Sequence, residues 1–338
     1  MNIFPLAVLS CSSGRKFAER LIDALNIIIK NDGLFTSVGL IDSSEIIFAN
    51  GEIKSTINDS VRGKDVYIVQ LVDDPLSENS VNDNIFSLVT MINAAYNSDA
   101  GRITAVIPQF PYARQERKKG REAITAKIMA NLLESSGADR VITLDIHAES
   151  IEGFFTKAKL ENLHAGRIII NYVNSEINKE QLVVVAPDIG SAGRGRFFAH
   201  HLGIELAIID KTRNYSQSSV IEKMVLVGNI KDKDVLLPDD MIATGGTLLK
   251  AVSVLKEKGA NNVYIAAALP FFNGEAVHKF DQAWKQGLFR QVIGTDAVYH
   301  GENFSKNYPW YREISVAGHF GEVIYSLNQR RSVSGFLT

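Results

Sequence analysis

At 338 residues the chain is long for one compact domain and comfortable for two. Hydrophobic residues make up 46% and charged ones 22%, the balance of an ordinary globular protein, and a formal charge of −2 excludes a basic nucleic-acid coat or a cationic membrane face. Any anion must be held by local arrangement rather than by overall charge.

The opening run, MNIFPLAVLSCSSGRK, is short, has no basic leader and contains Pro5, so it reads as a strand rather than a signal peptide. Its Cys11 is the single cysteine, which rules out an internal disulfide framework and fits a reducing, cytoplasmic setting. No stretch approaches the roughly 18 apolar residues that a bilayer span requires, so a soluble protein is expected. The pattern then predicts helix 16–29, strand 66–71, helix 81–97, strand 103–107, helix 124–135, strand 141–145 and helix 165–177. Strands 182–186, 205–209 and 235–237 follow, then helix 247–258, strand 263–269 and a last helix over 321–330. This alternation predicts the α/β class, with largely parallel sheets flanked by helices.

A faint internal echo accompanies it. KDVYIVQLVDD at 64–74 leads through a helix to RITAVIPQF at 102–110; KDVLLPDD at 233–240 leads through a helix to NNVYIAAALPFF at 261–272. Strand, helix and a strand ending in proline recur in one order, which predicts two similar domains divided near Leu160.

In the first half, residues 48–52 read FANGE, 61–70 read VRGKDVYIVQ, and 107–117 read IPQFPYARQER, followed by KKGREAITAKIMANLLE. On spacing alone Phe48 reads as a core aromatic, and the run beginning at Arg114 and Gln115 as a solvated charged face. Residues 143–155, TLDIHAESIEGFF, place His147 two positions past Asp145 at a strand end, where a lone histidine is more often a structural hydrogen-bonder than a ligand. In the second half VAPDIG puts Asp188 after another strand. AIIDKTR at 207–213 carries Lys211 and Arg213 onto what reads as a polar loop over 211–219.

The most informative stretch is VLLPDDMIATGGT at 235–247. An apolar strand delivers Asp239 and Asp240, then a turn rich in Gly and Thr enters a helix. Gly245 and Gly246 permit positive φ and close approach to a ligand. Thr244 and Thr247 offer hydroxyls, and the free N–H groups of a helix start attract phosphate. Carboxylates ahead of such a pocket accept hydrogen bonds from vicinal sugar hydroxyls or hold a metal through water. No Lys follows the glycines, so this is not a Walker A loop.

That segment resembles the ribose-phosphate-binding loop shared by type I phosphoribosyltransferases and ribose-phosphate pyrophosphokinases. In order and spacing the whole set, from about Phe4 to the closing SVSGFL, resembles the ribose-phosphate pyrophosphokinase family. Ordinary phosphoribosyltransferases have no counterpart of YARQ-x-RK or LD-x-HA. The resemblance implies two tandem phosphoribosyltransferase-like domains. Residues 1–160 would serve ATP, with 308–338 packing back on them, and 161–307 would bind ribose 5-phosphate. It implies diphosphate transfer from Mg-ATP to ribose 5-phosphate, and assembly as a homo-oligomer, built from dimers and up to a hexamer. Phe48 would stack on adenine beside Asn50 and Glu52, while Arg114, Gln115 and His147 would reach ATP. His147 and Asp188 would ligate Mg²⁺, and Asp239, Asp240, Ala243, Thr244, Gly245, Gly246 and Thr247 would hold the sugar phosphate. Lys211 and Arg213 would close over the reacting phosphates, and SVSGFL corresponds to a segment near a phosphate or ADP regulatory site. Two departures stand out: Ala243 replaces an Asp common in the family, and Ser150 and Glu152 replace a glutamine pair. They keep open a non-catalytic, nucleotide-binding regulatory homologue, and a phosphoribosyltransferase is the nearest enzymatic alternative.

Overall fold

Short aliphatic runs build both sheets. The computed structural model describes residues 4–34, 36–214 and 221–337, with backbone alone for 211–214 and 221–223. The chain divides into two units: residues 1–164, 296–300 and 315–338 form the first, and residues 165–295 and 301–314 the second.

Unit 1 contains β1 (Leu6–Ser10), α1 (Arg15–Asn31), β2 (Ser43–Ile47), β3 (Ile53–Ile57), β4 (Asp65–Val69), α2 (Val81–Asn97), β5 (Arg102–Val106), α3 (Thr125–Ser136), β6 (Arg140–Leu144) and β7 (Lys159–Leu163). A parallel sheet runs β1-β4-β5-β6-β7, and β2 and β3 form a separate antiparallel hairpin. Every residue of β4 is buried, as a parallel strand covered on both faces requires. Helix α1 turns Phe17, Leu21 and Leu25 inward at helical spacing. Helix α2 starts on a capping box: Asp83 N–H donates to Ser80 Oγ at 3.2 Å, and Ser80 N–H donates to Asp83 Oδ2 at 2.9 Å. The hairpin lies on α2, where the hydroxyls of Ser55 and Thr90 meet at 2.7 Å.

Glu134 on α3 ties down the chain ahead of β7. Its carboxylate accepts from the N–H groups of Thr156, Lys157 and Ala158 at 2.7, 2.6 and 2.9 Å, and from Thr156 Oγ1 at 2.9 Å. Burial alone would raise its pKa, but these donors bring it down from 4.5 to about 2. A depressed carboxylate stabilises the fold above its unfolded pKa and loses that contribution as pH falls. Glu134→Gln should therefore lower the melting temperature at pH 7 and converge with wild type near pH 2. A deficit independent of pH would show that packing, not the ionised carboxylate, does the holding.

Unit 2 contains α4 (Gly166–Glu176), β8 (Leu182–Ala186), α5 (Ala192–Leu202), β9 (Leu206–Asn214), β10 (Ile221–Val227), β11 (Asp234–Met241), α6 (Gly246–Glu257), β12 (Val263–Leu269), α7 (Ala276–Lys285), β13 (Gln291–Thr295), α8 (Phe304–Asn307) and β14 (Tyr311–Ile314). Its sheet runs β10-β9-β8-β11-β12-β13-β14, parallel except for the β9–β10 pair. Pro238 lies inside β11, but pairing with β8 ends at Leu236, so its missing N–H falls where the ladder continues beside β12 alone. Because β14 pairs with β13, residues 308–314 stay with this unit, and the segment that rejoins unit 1 starts at Ser315.

That segment forms α9 (Ala317–Asn328), which lies along α1. Phe17 and Phe320 meet edge to face at 5.4 Å, and Gly321 admits Ile28, whose Cδ1 would stand 3.3 Å from an added Cβ. Asp296, fully buried, anchors the return: its carboxylate accepts from Arg20 Nη1 at 2.8 Å, Ser315 Oγ at 2.6 Å and Val316 N–H at 2.8 Å.

Candidate active site

In unit 2 the sequence-chosen residues gather at the carboxyl ends of β8 and β11, the edge where open α/β sheets bind ligands. Strand β11 runs on to Met241, past the expected end at residue 237, so Asp239 and Asp240 lie within it. Ile242 is gripped from both sides, donating to Leu269 O and accepting from Phe272 N–H, each at 2.9 Å. Gly245 then sits at φ +71° as the N-cap of α6, and a Cβ there would lie 2.2 Å from Cε2 of the buried Phe280. Gly246 differs from the expectation of positive φ at both glycines: it has an ordinary φ and no atom within 4 Å of an added Cβ. The first helical bond runs from Leu249 N–H to Gly245 O at 2.9 Å, so the N–H groups of Gly246, Thr247 and Leu248 precede the ladder. Thr244, Gly246 and Thr247 are exposed beside them. Ala243 is partly buried, and its carbonyl accepts from Asn273 N–H at 3.1 Å.

One residue of this edge escaped the sequence reading. Arg194 on α5 places Nη1 3.1 Å from Asp239 Oδ1 and 3.7 Å from Asp240 Oδ1. The carboxylates also fold back on the chain: Asp240 N–H donates to Asp239 Oδ1 at 2.9 Å, and Met241 N–H to Asp240 Oδ1 at 3.0 Å. Burial first, then the hydrogen bond and charge of Asp240, push Asp239 up from 3.8 to about 7, with Arg194 opposing. Such an acid takes up a proton on folding, so its stabilising neutral form is lost as pH rises through about 7. Asp239→Asn mimics that neutral form, and its melting temperature should exceed wild type by more at pH 8 than at pH 5. An equal difference at both would show that the Asp239 carboxyl is not perturbed.

Asp188 follows β8 and closes the turn that opens α5. Its Oδ1 accepts from Ser191 N–H at 2.9 Å, and its carbonyl from Ser191 Oγ at 2.8 Å. Lys211 and Arg213 are not on a loop: both lie in β9, which pairs antiparallel with β10, placing Lys211 opposite Met224 and Arg213 opposite Glu222. Backbone pairing tolerates their polarity, which is why a polar run hides a strand. Their side chains, and residues 215–220, lie outside the described residues.

In unit 1 the chosen residues occupy two places. Phe48, Asn50 and Glu52 ride the turn of the β2–β3 hairpin, closed by Phe48 N–H to Glu52 O and Gly51 N–H to Phe48 O, both 2.8 Å. Phe48 is 46% exposed, so it is no core aromatic. Arg114, Gln115 and His147 instead follow the carboxyl ends of the adjacent strands β5 and β6, and all three are exposed. Gln115 also steadies α3: its Oε1 accepts from Thr125 Oγ1 at 2.6 Å. Beside His147, Asp145 adopts φ +41° and its Oδ1 lies 3.0 Å from His164 Nδ1.

Comparison with known proteins follows this division. The family model described as the N-terminal domain of ribose phosphate pyrophosphokinase matches residues 6–137, and the phosphoribosyl transferase domain matches residues 155–300. A ribose-phosphate pyrophosphokinase of Chlorobaculum tepidum is 38% identical over 308 residues, covering 91% of this chain and 90% of the relative. One of Prochlorococcus marinus is 37% identical over 331 residues, covering 97% and 92%. The crystal structure of phosphoribosylpyrophosphate synthetase from Mycobacterium smegmatis superposes with a TM-score of 0.83 at 32% identity, covering 96% of this chain and 99% of that one.

Proposed function

The chain belongs to the ribose-phosphate pyrophosphokinase family, and from that premise we propose that the carboxyl edge of the unit 2 sheet holds ribose 5-phosphate while unit 1 residues hold ATP. It is an enzyme of diphosphate transfer. In this reading O1 of ribose attacks the β-phosphorus of ATP in line and AMP leaves. Transfer of this kind depends on positioning and charge neutralisation more than on a nucleophilic side chain. The sugar's 5-phosphate sits on the N–H groups of Gly246, Thr247 and Leu248 and the hydroxyls of Thr244 and Thr247. Asp239 and Asp240 accept hydrogen bonds from its vicinal hydroxyls. Phe48 gives adenine an open ring face, with Asn50 and Glu52 at its polar rim. Arg114 offers phosphate oxygens a planar fork of donors, with Gln115 next to it in sequence and His147 following the adjacent strand. Lys211 and Arg213 counter the charge growing on the transferred group.

Among the described residues no group of three or more His, Cys, Asp and Glu is placed to hold a metal. Mg²⁺ needs few protein ligands, because water and phosphate oxygens complete its shell, so a single carboxylate such as Asp188 in unit 2 would suffice as a protein ligand, and His147 is the unit 1 residue that the family resemblance gives the same role. A bound Mg²⁺ would neutralise charge on the ATP phosphates. No described helix is long and apolar enough to cross a membrane. A cytoplasmic, homo-oligomeric enzyme completes the reading.

The observation that carries it is the acid pair standing directly ahead of an open helix start. Purified protein given Mg-ATP and ribose 5-phosphate should release AMP and phosphoribosyl pyrophosphate in equal amounts. Absence of both would overturn the reading. In the same assay Asp239→Asn should raise the KM for ribose 5-phosphate and leave that for ATP; the reverse pattern would exchange the two substrate sites.

A further inference from the structure

Asp239 and Asp240 are consecutive residues of one strand, and consecutive strand side chains point to opposite faces. Two acids in that arrangement cannot both address one pair of vicinal hydroxyls unless something draws them together. Arg194 does so: a single nitrogen, Nη1, lies 3.1 Å from one carboxylate and 3.7 Å from the other. The backbone yields at the same point, since the β11–β12 register pairs Asp239 with Ala267 and Met241 with Leu269, while the N–H of Asp240 is turned onto Asp239 Oδ1.

The placement of Arg194 is itself built in. Helix α5 starts from the Asp188–Ser191 turn. It lies close on the sheet at the neighbouring Gly195, where an added Cβ would come within 2.9 Å of Leu206 Cδ1 and 3.1 Å of Ala186 Cβ. With the helix pressed onto β8 and β9 at that residue, the preceding side chain is aimed at the end of β11. Its side chain is about one-third exposed, 30%, so the arginine is set beside the ligand edge rather than sealed in the core.

We infer that Arg194 is a positioning residue for the sugar: it gathers Asp239 and Asp240 into one bidentate acceptor for adjacent hydroxyls and thereby sets the preference for a cis-diol pentose phosphate. This rests on the proposed sugar site. Without the clamp only the hydrogen bond between the two carboxyl groups opposes their divergence, and the pair meets the sugar less well.

The test compares wild type, Arg194→Met and Arg194→Lys by steady-state kinetics with ribose 5-phosphate and with 2-deoxyribose 5-phosphate, and by calorimetric binding of ribose 5-phosphate alone. Arg194→Met should raise the KM for ribose 5-phosphate by about 10- to 100-fold, the range for a lost hydrogen bond to a charged group. The KM for ATP should stay within about twofold, and the preference for ribose over 2-deoxyribose should shrink at least about tenfold on the same scale. Arg194→Lys keeps the charge but not the fork, and should recover part of the affinity. Unchanged discrimination, or equal rises in both KM values, would overturn the assignment. Calorimetry separates this from failure of the broader reading: if wild type binds ribose 5-phosphate but makes no product, the enzymatic reading falls while Arg194 is still judged by affinity. If wild type binds no sugar phosphate, both fall.

Discussion

Lys211→Ala should lower turnover by roughly 10²–10³-fold, the loss seen when a donor to a transition state is removed, while the melting temperature stays within about a degree. Its backbone position is the reason to expect so much from one side chain. Ile208 is the last residue of β9 paired with β8, and Lys211 stands three positions further on, where β9 continues only as a ribbon with β10. The backbone at Lys211 thus lies past the last β8–β9 pair, on the carboxyl side where open α/β sheets bind ligands. Turnover at saturating substrates is the deciding measurement. A variant that keeps more than half of wild-type turnover removes Lys211 from the chemistry.

The second large effect separates two adjacent glycines. Gly245→Ala forces a side chain into φ +71° and drives its Cβ to 2.2 Å from Phe280, which is fully buried among Phe272, Phe289 and Trp310. It should cost about 2–5 kcal/mol, combining the left-handed penalty with overpacking of a filled core. Gly246→Ala meets no neighbour within 4 Å and has an ordinary φ. Its stability should match or slightly exceed wild type, since Ala favours a helix over Gly by about 0.5–1 kcal/mol. Its KM for ribose 5-phosphate should nonetheless rise at least about tenfold, because a methyl group would stand where the phosphate approaches the helix start. Thermal melts and KM values on both variants decide it. Should Gly246→Ala bind sugar phosphate normally, the phosphate does not sit on that turn.

Strands β8 and β12 were legible residue for residue, because a strand buried on both faces is an unbroken apolar run bounded by polar turns. Edge elements were not. Strand β7 reads KLENL, and the β2–β3 hairpin reads SSEII and IKSTI, with solvent on much of their surface and no apolar run to mark them. Helix α5 reads AGRGRFFAHHL, whose two glycines weaken any helical signal, and so the element that carries Arg194 left no trace. The acid pair and the glycine turn were visible as residue types at a strand-to-helix junction. What the sequence could not reveal is that a third group clamps the pair, since that depends on how closely α5 approaches the sheet at Gly195. The signal that was available is the basic residue six positions after Asp188, in the first turn of the helix which that acid opens.

The pairing of α9 with α1 governs the order in which the protein can be completed. Phe17 and Leu21 belong to α1, yet α9, whose Phe320 meets Phe17, is drawn from residues 317–328. Domains usually fold as they leave the ribosome, first to last. Here the earlier unit has to wait until residues 317–328 have been made, with an apolar helix face open in the meantime. A nascent chain stalled after residue 300 should therefore bind chaperones and resist release, although the sheet strands of its first unit are already all synthesised.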